Sequence, residues 1–499
     1  MTPILKTVRI TAITVVFALA CALGAEPGFL SVVDFGAVPN DGNDDLVAVQ
    51  KCVAATTKAQ KACFIPPGNY LFSGDLWLGS NAILFGEGEK SILTFSKGKI
   101  RALKNGNKHF YYTRNYNNER IAGKVERGVL EKAVQKGATS FSVKTDDEFG
   151  IGDWIFISNN RKDTWTILEK MSKGMDTPAH LNGSRDVLAK AQIAKITERA
   201  GDRITIDRKL DSGYVAGAVV GNHVGARNIR IHDLSIINHS EKGHAIVFEQ
   251  PFNAQFRNLS IETTKGAGGI HLVHYAFRCV VEKCRIKNSG QYAINISNFS
   301  SENRVDGNDI TFVEGGDCAI LVMMYSKNNV VSNNTVDCLS KVPQNDGGIY
   351  IHATSFGNRV LNNDIKGATS AIGAFYGANN NVFKGNSGLN CNTGISLWYA
   401  GGNNVFEENE LKFGDTRRPG KHNGVYVYCS QISVVERNLF SGKLDVGCLA
   451  GPKANCSIKK TKPNAYTISL AGLGFEGGIS LNRNTFKSVT ERFFEYRLE

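Results

Sequence analysis

Beyond residue 25 the chain has no apolar run long enough to span a bilayer, so no membrane span is expected. It lacks any CxxC or Cys/His spacing of the kind that holds zinc. No aspartate cluster is strong enough to predict calcium, so no cofactor and no metal ligand are assigned. No nucleic-acid motif is recognisable either. Acidic charge is in deficit, with 46 Asp and Glu against 58 Lys and Arg and a net charge of +12 over 499 residues. That excess predicts an anionic partner such as an acidic polysaccharide rather than nucleic acid.

The one long apolar run is at the start. Lys6 and Arg9 lead into ITAITVVFALACALGA. Residues 1–25 read as a secretory signal peptide, which implies a secreted, periplasmic or cell-surface protein. Of eleven cysteines, Cys21 lies in that segment. The even remainder permits disulfides, and Cys52 with Cys63 and Cys448 with Cys456 are the nearest local pairs.

What the chain has in abundance is repetition. From about Gly221 to Asn438 a short phrase returns as AIVFEQ, GIHLVH, AINISN, AILVMM, GIYIHA, AIGAFY, GISLWY and GVYVYC. Its apolar anchors are Ile246, Ile270, Ile294, Ile320, Ile349, Ile372, Ile395 and Val425, separated by 24, 24, 26, 29, 23, 23 and 30 residues. A second series, Asn308, Asn334, Asn363, Asn386, Asn409 and Asn438, steps by 26, 29, 23, 23 and 29. Two series that keep phase through insertions predict stacked coils with variable loops, an all-β parallel solenoid. Stacking at about 4.8 Å gives each inward Ile a neighbour above and below. An Asn at the same turn of each coil can pass amide hydrogen bonds along the stack, so these Asn are read as structural.

Ahead of the repeat, VVDFGAVPNDGNDDLVAVQKCVAATTKAQKACFIPPGNY predicts a strand, a polar turn, a helix over about Asp45 to Lys58, then a strand entered through a Pro-Gly turn. The phrase DFGAVPNDGNDD, the helix and F-x-P-P-G-x-Y resemble the opening of right-handed parallel β-helix proteins of the pectate-lyase superfamily, which includes polygalacturonases, lyases and phage tailspikes. The resemblance implies a single-stranded right-handed β-helix whose N-terminal helix caps the apolar mouth. The expected organisation is one domain over 26–499. It comprises cap and first strands at 26–75, irregular coils with loop insertions at 76–220, regular coils at 221–440, and a last coil and cap at 441–499. Oligomeric state is not legible.

Period 2 places one residue inward and the next outward. With the Ile inward, Glu249, His271, Asn295, Tyr350, His352, Phe375, Trp398 and Tyr426 face out, and His244, Tyr292, Asp317 and Asp346 lie just ahead of their strands. In the enzymes that this chain resembles, substrate crosses the outer face of one parallel sheet. EGGDCAILV and NDGGIYIHA resemble the paired acidic phrases of polygalacturonases, in reversed order and with Cys318 replacing one Asp. Carboxylates one coil apart lie about 5 Å from each other, close enough to separate their pKa values into acid and base or nucleophile. Asp317, Asp346, His352 and Tyr350 are therefore the catalytic candidates. Glu249, His271, Asn295, Lys327, Phe375, Trp398 and Tyr426 are the substrate-binding ones, the aromatics offering faces for sugar rings. Three functions follow: a glycoside hydrolase on a uronate-containing or sulfated polysaccharide; a polysaccharide lyase or C5-epimerase, in which His or Tyr abstracts a proton while a cation neutralises the carboxylate; or a non-catalytic glycan-binding adhesin.

Overall fold

The computed structural model describes residues 28–102, 128–145, 149–158, 191–240, 243–264, 266–288, 290–312, 318–339, 347–398, 402–414, 422–428, 433–450, 456–462, 465–470, 477–486 and 489–496. The proposed signal peptide, Asp317, Asp346 and Cys429 lie outside them.

The inward Ile series stacks as the repeat predicts. Ile246, Ile270, Ile294, Ile320, Ile349, Ile372, Ile395 and Val425 pair in parallel register from strand to strand, and each is fully buried. Their strands belong to a twelve-stranded parallel sheet running from Leu76–Leu78 to Val489–Tyr496. The other walls of the solenoid form a 25-stranded sheet. Its coils turn a corner between short strands such as Arg359–Leu361 and Asp364–Lys366.

The corner is where the Asn series acts. Each ladder Asn follows a residue in the left-handed region, Asn333, Asn362, Glu408 and Arg437 among them, which bends the chain within one residue. The Asn side chain then fills the bend. Asn334 Nδ2 donates to Asn363 Oδ1 at 2.9 Å, Asn363 to Asn386 at 2.9 Å, and Asn409 to Asn438 at 2.8 Å. A second ladder, Asn303, Asn329, Asn358, Asn381 and Asn404, runs beside it with bonds of 2.9 to 3.0 Å.

The capping helix, Leu46–Ala59, buries Val49, Cys52, Val53 and Thr56, one helical stripe, against the first coils. Cys52 and Cys63, one of the two local pairs, meet there as buried thiols with sulfurs 3.0 Å apart. Cys448 is likewise a buried thiol, and the side chain of Cys456 lies outside the described set.

One expectation is corrected outright. Of the 76–220 segment, residues 76–102 are coils of the solenoid, but the described strands from 128 to 222 are not. Gly128–Leu130, Ser140–Lys144, Trp154–Ser158, Ala191–Ala200, Arg203–Ile206 and Val219–Asn222 close into an antiparallel barrel. Its own core includes Phe141, Val143, Ile155, Ile157, Ile196 and Ile204. The tight turn at Gly201-Asp202, with Gly201 at positive φ, joins Ala191–Ala200 and Arg203–Ile206 as a hairpin, a connection that parallel coils do not use. The barrel docks on aromatics of the turn that follows the twelve-stranded sheet. Phe156 stacks on Tyr275 at 4.5 Å, Tyr275 on Phe299 at 5.2 Å, and Trp154 tilts onto Phe252 and Phe277.

Candidate functional site

The outer face of the twelve-stranded sheet presents three columns, set by strand register. One runs Trp77, Arg101, Val247, His271, Asn295, Leu321, Tyr350, Gly373, Ser396, Tyr426. A second contains Glu249 and Val273 above, and Phe375 and Trp398 below. The third lies two residues before each anchor: His244 against Gly268, then Tyr292, Cys318 and Gly347. Between this column and the anchor the small residue, Gly269 or Gly348, turns towards the core, where an added Cβ would meet Ile286 or Ile365.

Glycine decides where rings lie flat on this face. A Cβ at Gly268 would fall 2.4 Å from His244 Cδ2, and one at Gly347 2.0 Å from Tyr350 Cζ. The imidazole of His244 therefore rests on the next coil, and the Tyr350 ring folds back over its own strand.

The result is two clusters. In the upper one, His244 and His271 have ring centroids 4.7 Å apart, with Tyr292 at 6.3 Å from His244. His271 Nε2 shares a hydrogen bond with Ser297 Oγ at 2.8 Å. His244 is 6% exposed, and its Nε2 has no hydrogen-bond partner among the described residues. Burial, aided by the nearby Lys99 ammonium, pushes the His244 pKa down to about 4. Burial, then His244, His274 and Lys99, holds His271 well below the usual histidine value. Both are neutral at ordinary pH. Lys99 itself is lowered, by burial and by Arg101, with Asp75 opposing. Arg101 lies over Trp77 at 5.1 Å and pairs with Asp75 at 3.3 Å and Glu249 at 3.8 Å.

The lower cluster lies about 14 Å away, three coil spacings from His271. The Tyr350 hydroxyl is hydrogen-bonded to Ser370, whose Oγ meets Ser396 Oγ at 2.7 Å. Burial raises the Tyr350 phenol above its ordinary value, so it stays protonated. His352 packs on Tyr376 at 4.5 Å, and Phe375 on Tyr350 at 4.5 Å. Phe375, expected to offer an open face, is only 8% exposed, while Trp398 and Tyr426 are half-buried.

The site residues read from sequence thus separate. His271 and Asn295 join the upper cluster with Glu249 at its edge; Tyr350, His352, Phe375, Trp398 and Tyr426 form the lower one. Lys327 is corrected: it does not face the groove. Its ammonium is buried against the barrel, donating to Ala191 O at 2.8 Å and pairing with Asp211. The pattern of repeats gave no sign of Lys99, Arg101, Asp75 or Trp77, which sit in coils before the first GI phrase. The available signal was local, the alternation in DLWL and KIRA.

Three family models match parts of the chain: "Rhamnogalacturonase A/epimerase, pectate lyase-like" over residues 29–192, "Right handed beta helix region" over 217–373, and "Periplasmic copper-binding protein (NosD)" over 337–488. No curated protein matches. Among solved structures, the chain resembles the tailspike protein gp49 of Pseudomonas phage LKA1, with TM-score 0.59 and 13% identity over 84% of this chain and 78% of that one. It also resembles the A-module of the mannuronan C-5 epimerase AlgE6 of Azotobacter vinelandii, with TM-score 0.54 and 12% identity over 94% and 96%. At such identities the likeness is one of fold. Among the described residues of 337–488 the donors for copper are dispersed: His352 is on the outer face, His422 pairs with Asp445, and Cys338, Cys391 and Cys448 are separately buried. Among the described residues no three His, Cys, Asp or Glu side chains converge to hold a metal.

Proposed function

Because the chain is a pectate-lyase-like right-handed β-helix protein, we propose that it is a polysaccharide-acting enzyme that works on a uronate sugar at the upper cluster. The observation that carries this is a pair of neutral histidines in adjacent coils beside a half-buried lysine. Abstracting the proton α to a uronate carboxylate needs a free base, and a cation on the carboxylate to stabilise the charge that spreads onto it. Lys99, with Arg101 alongside, is that cation, and the His244–His271 pair the base.

Binding also tunes the base. Burial is the main cause that holds both histidines down, and the Lys99 ammonium adds to it. A carboxylate bound to Lys99 would offset that smaller contribution and move both pKa values upward, while burial continues to hold them below the ordinary histidine value. Tyr292, whose ring stacks beside His244, is the residue proposed to return a proton. If the O4 glycosidic bond breaks, the leaving oxygen takes a proton and an unsaturated uronate remains. If it does not, reprotonation on the opposite face inverts C5. Export to the periplasm or beyond, read from residues 1–25, agrees with a polymeric substrate.

Hydrolysis, the reaction expected from Asp317 and Asp346, is separated by products. Uronate polysaccharides incubated in deuterated water should yield either an ultraviolet-absorbing unsaturated end or deuterium at C5, and His271→Gln should abolish both. New reducing ends carrying neither mark would overturn proton abstraction in favour of hydrolysis. Retention of glycan with no product would make the protein a binder.

A further inference from the structure

The reading above seats one anionic sugar, and the remainder of the same face bears on its neighbours. Among the described residues of its first ten strands, charged side chains on the face are confined to the first three: Asp75, Lys99, Arg101 and Glu249 all belong to, or directly precede, Leu76–Leu78, Ile100–Ala102 and Gly243–Glu249. Asp317 and Asp346, directly ahead of two later strands, lie outside the described residues, and charge returns in the sequence of the last two strands, Leu444–Ala450 and Val489–Tyr496. The next seven strands, from Ala267–Val273 to Asn423–Tyr428, contain no Asp, Glu, Lys or Arg. They span about 29 Å of groove, six coil spacings. Outward they carry amides, hydroxyls and apolar groups, such as Leu321, Met323, Tyr350, Ser396 and Trp398. The lysine that the sequence suggested for this stretch, Lys327, is turned into the barrel interface.

A carboxylate laid over Leu321 and Met323 would lose hydration with no cation in return from the strands beneath it. A neutral sugar would lose little: its hydroxyls can bond Ser, Tyr and Asn side chains while its apolar face meets Trp398 or Tyr426. We infer that the substrate is a heteropolysaccharide in which one anionic sugar, held at Lys99 and Arg101, is followed by a run of neutral sugars, and that a homopolyuronate is a poor ligand. The inference rests on the upper cluster as the uronate site.

The test compares gellan, whose linear repeat sets a single glucuronate among neutral sugars, with polygalacturonate and polymannuronate. Binding to the full-length protein is measured first, and C5 deuterium and ultraviolet-absorbing ends second. Gellan should bind about ten-fold more tightly per uronate, the scale of one misplaced charge. Met323→Lys, which adds a cation to the neutral stretch at a half-exposed position, should raise polygalacturonate affinity several-fold and leave gellan unchanged. Equal or tighter binding of the homopolymers overturns the inference, even if their C5 chemistry upholds the uronate site. Gellan preference with hydrolytic products alone keeps the charge pattern and sinks proton abstraction. Failure of gellan to bind at all, with either homopolymer bound, also overturns the inference.

Discussion

Gly268→Ala is the sharpest probe of the upper cluster, because it alters neither charge nor hydrogen-bonding capacity. The new methyl would lie 2.4 Å from His244 Cδ2, 2.6 Å from its Nε2 and 2.6 Å from the Tyr292 carbonyl oxygen. Carbon contacts settle at about 3.5–4.0 Å, so the imidazole must retreat by about 1 Å, or the coil carrying Tyr292 must shift. Overpacking of this kind costs about 1–3 kcal/mol of stability. A displacement of about 1 Å in a catalytic group costs on the order of 10²-fold in turnover. The expected outcome is a folded protein, melting a few degrees lower, whose kcat falls about a hundred-fold with a much smaller change in KM. Gly213→Ala is the control, since its methyl would meet nothing closer than 3.5 Å. Turnover and thermal unfolding measured together decide the matter. Wild-type kcat in a folded Gly268→Ala protein would show that the seat of the His244 ring has no part in the chemistry.

Three further outcomes follow from the fold. Asp211→Ala should destabilise more than Lys327→Met, by about 3–5 kcal/mol against about 1–2, because the first strands a buried ammonium while the second leaves a carboxylate with access to water; chemical denaturation and hydrogen exchange in the barrel would show a reversed order if the interface is wrongly read. Asn363→Ala removes both the amide that bonds Asn386 and Val331 and the acceptor used by Asn334, so a loss of about 2–4 kcal/mol is expected in denaturant unfolding. The pH dependence has a definite sign. His223 and His244 titrate near pH 4 in the fold against an ordinary value of 6.5, and His271 is lowered as well, burial being the first cause in each. The unfolded chain therefore takes up protons first. Stability should be full above about pH 6.5 and fall as pH drops towards 4, by roughly 3 kcal/mol for each of His223 and His244 at most. A melting temperature flat across that window would count against their burial.

The solenoid was legible because its determinants are periodic: the Ile and Asn series survive variable loops. The second ladder, Asn303 to Asn404, was equally periodic but lay in the shadow of the first. The barrel was harder to read, since its strands follow hairpin rules and share no period with the coils. Within the site, register exposed His271, Asn295 and Tyr350, residues one step from an anchor. It could not reveal that Phe375 is covered by its neighbours or that Lys327 answers to a distant Asp211, because both depend on elements remote in sequence. Lys99 and Arg101 escaped for the opposite reason: their coils lack the repeated phrase, and only the stacking of coils brings them close to His244.

The asparagine ladder also bears on how such a chain can change over generations. Asn438 bonds Asn484 at 3.0 Å although 46 residues separate them, and between them the chain makes an excursion that includes the antiparallel pair Cys456–Lys462 and Ala465–Leu470. Rungs closed across 23 residues elsewhere have the same length. The corner thus works like a ratchet tooth: it re-establishes phase after a detour of any length. Loops at the rim of the groove can be lengthened, exchanged or lost without a register penalty to the coils beneath, so ligand preference can drift quickly on a body that hardly changes.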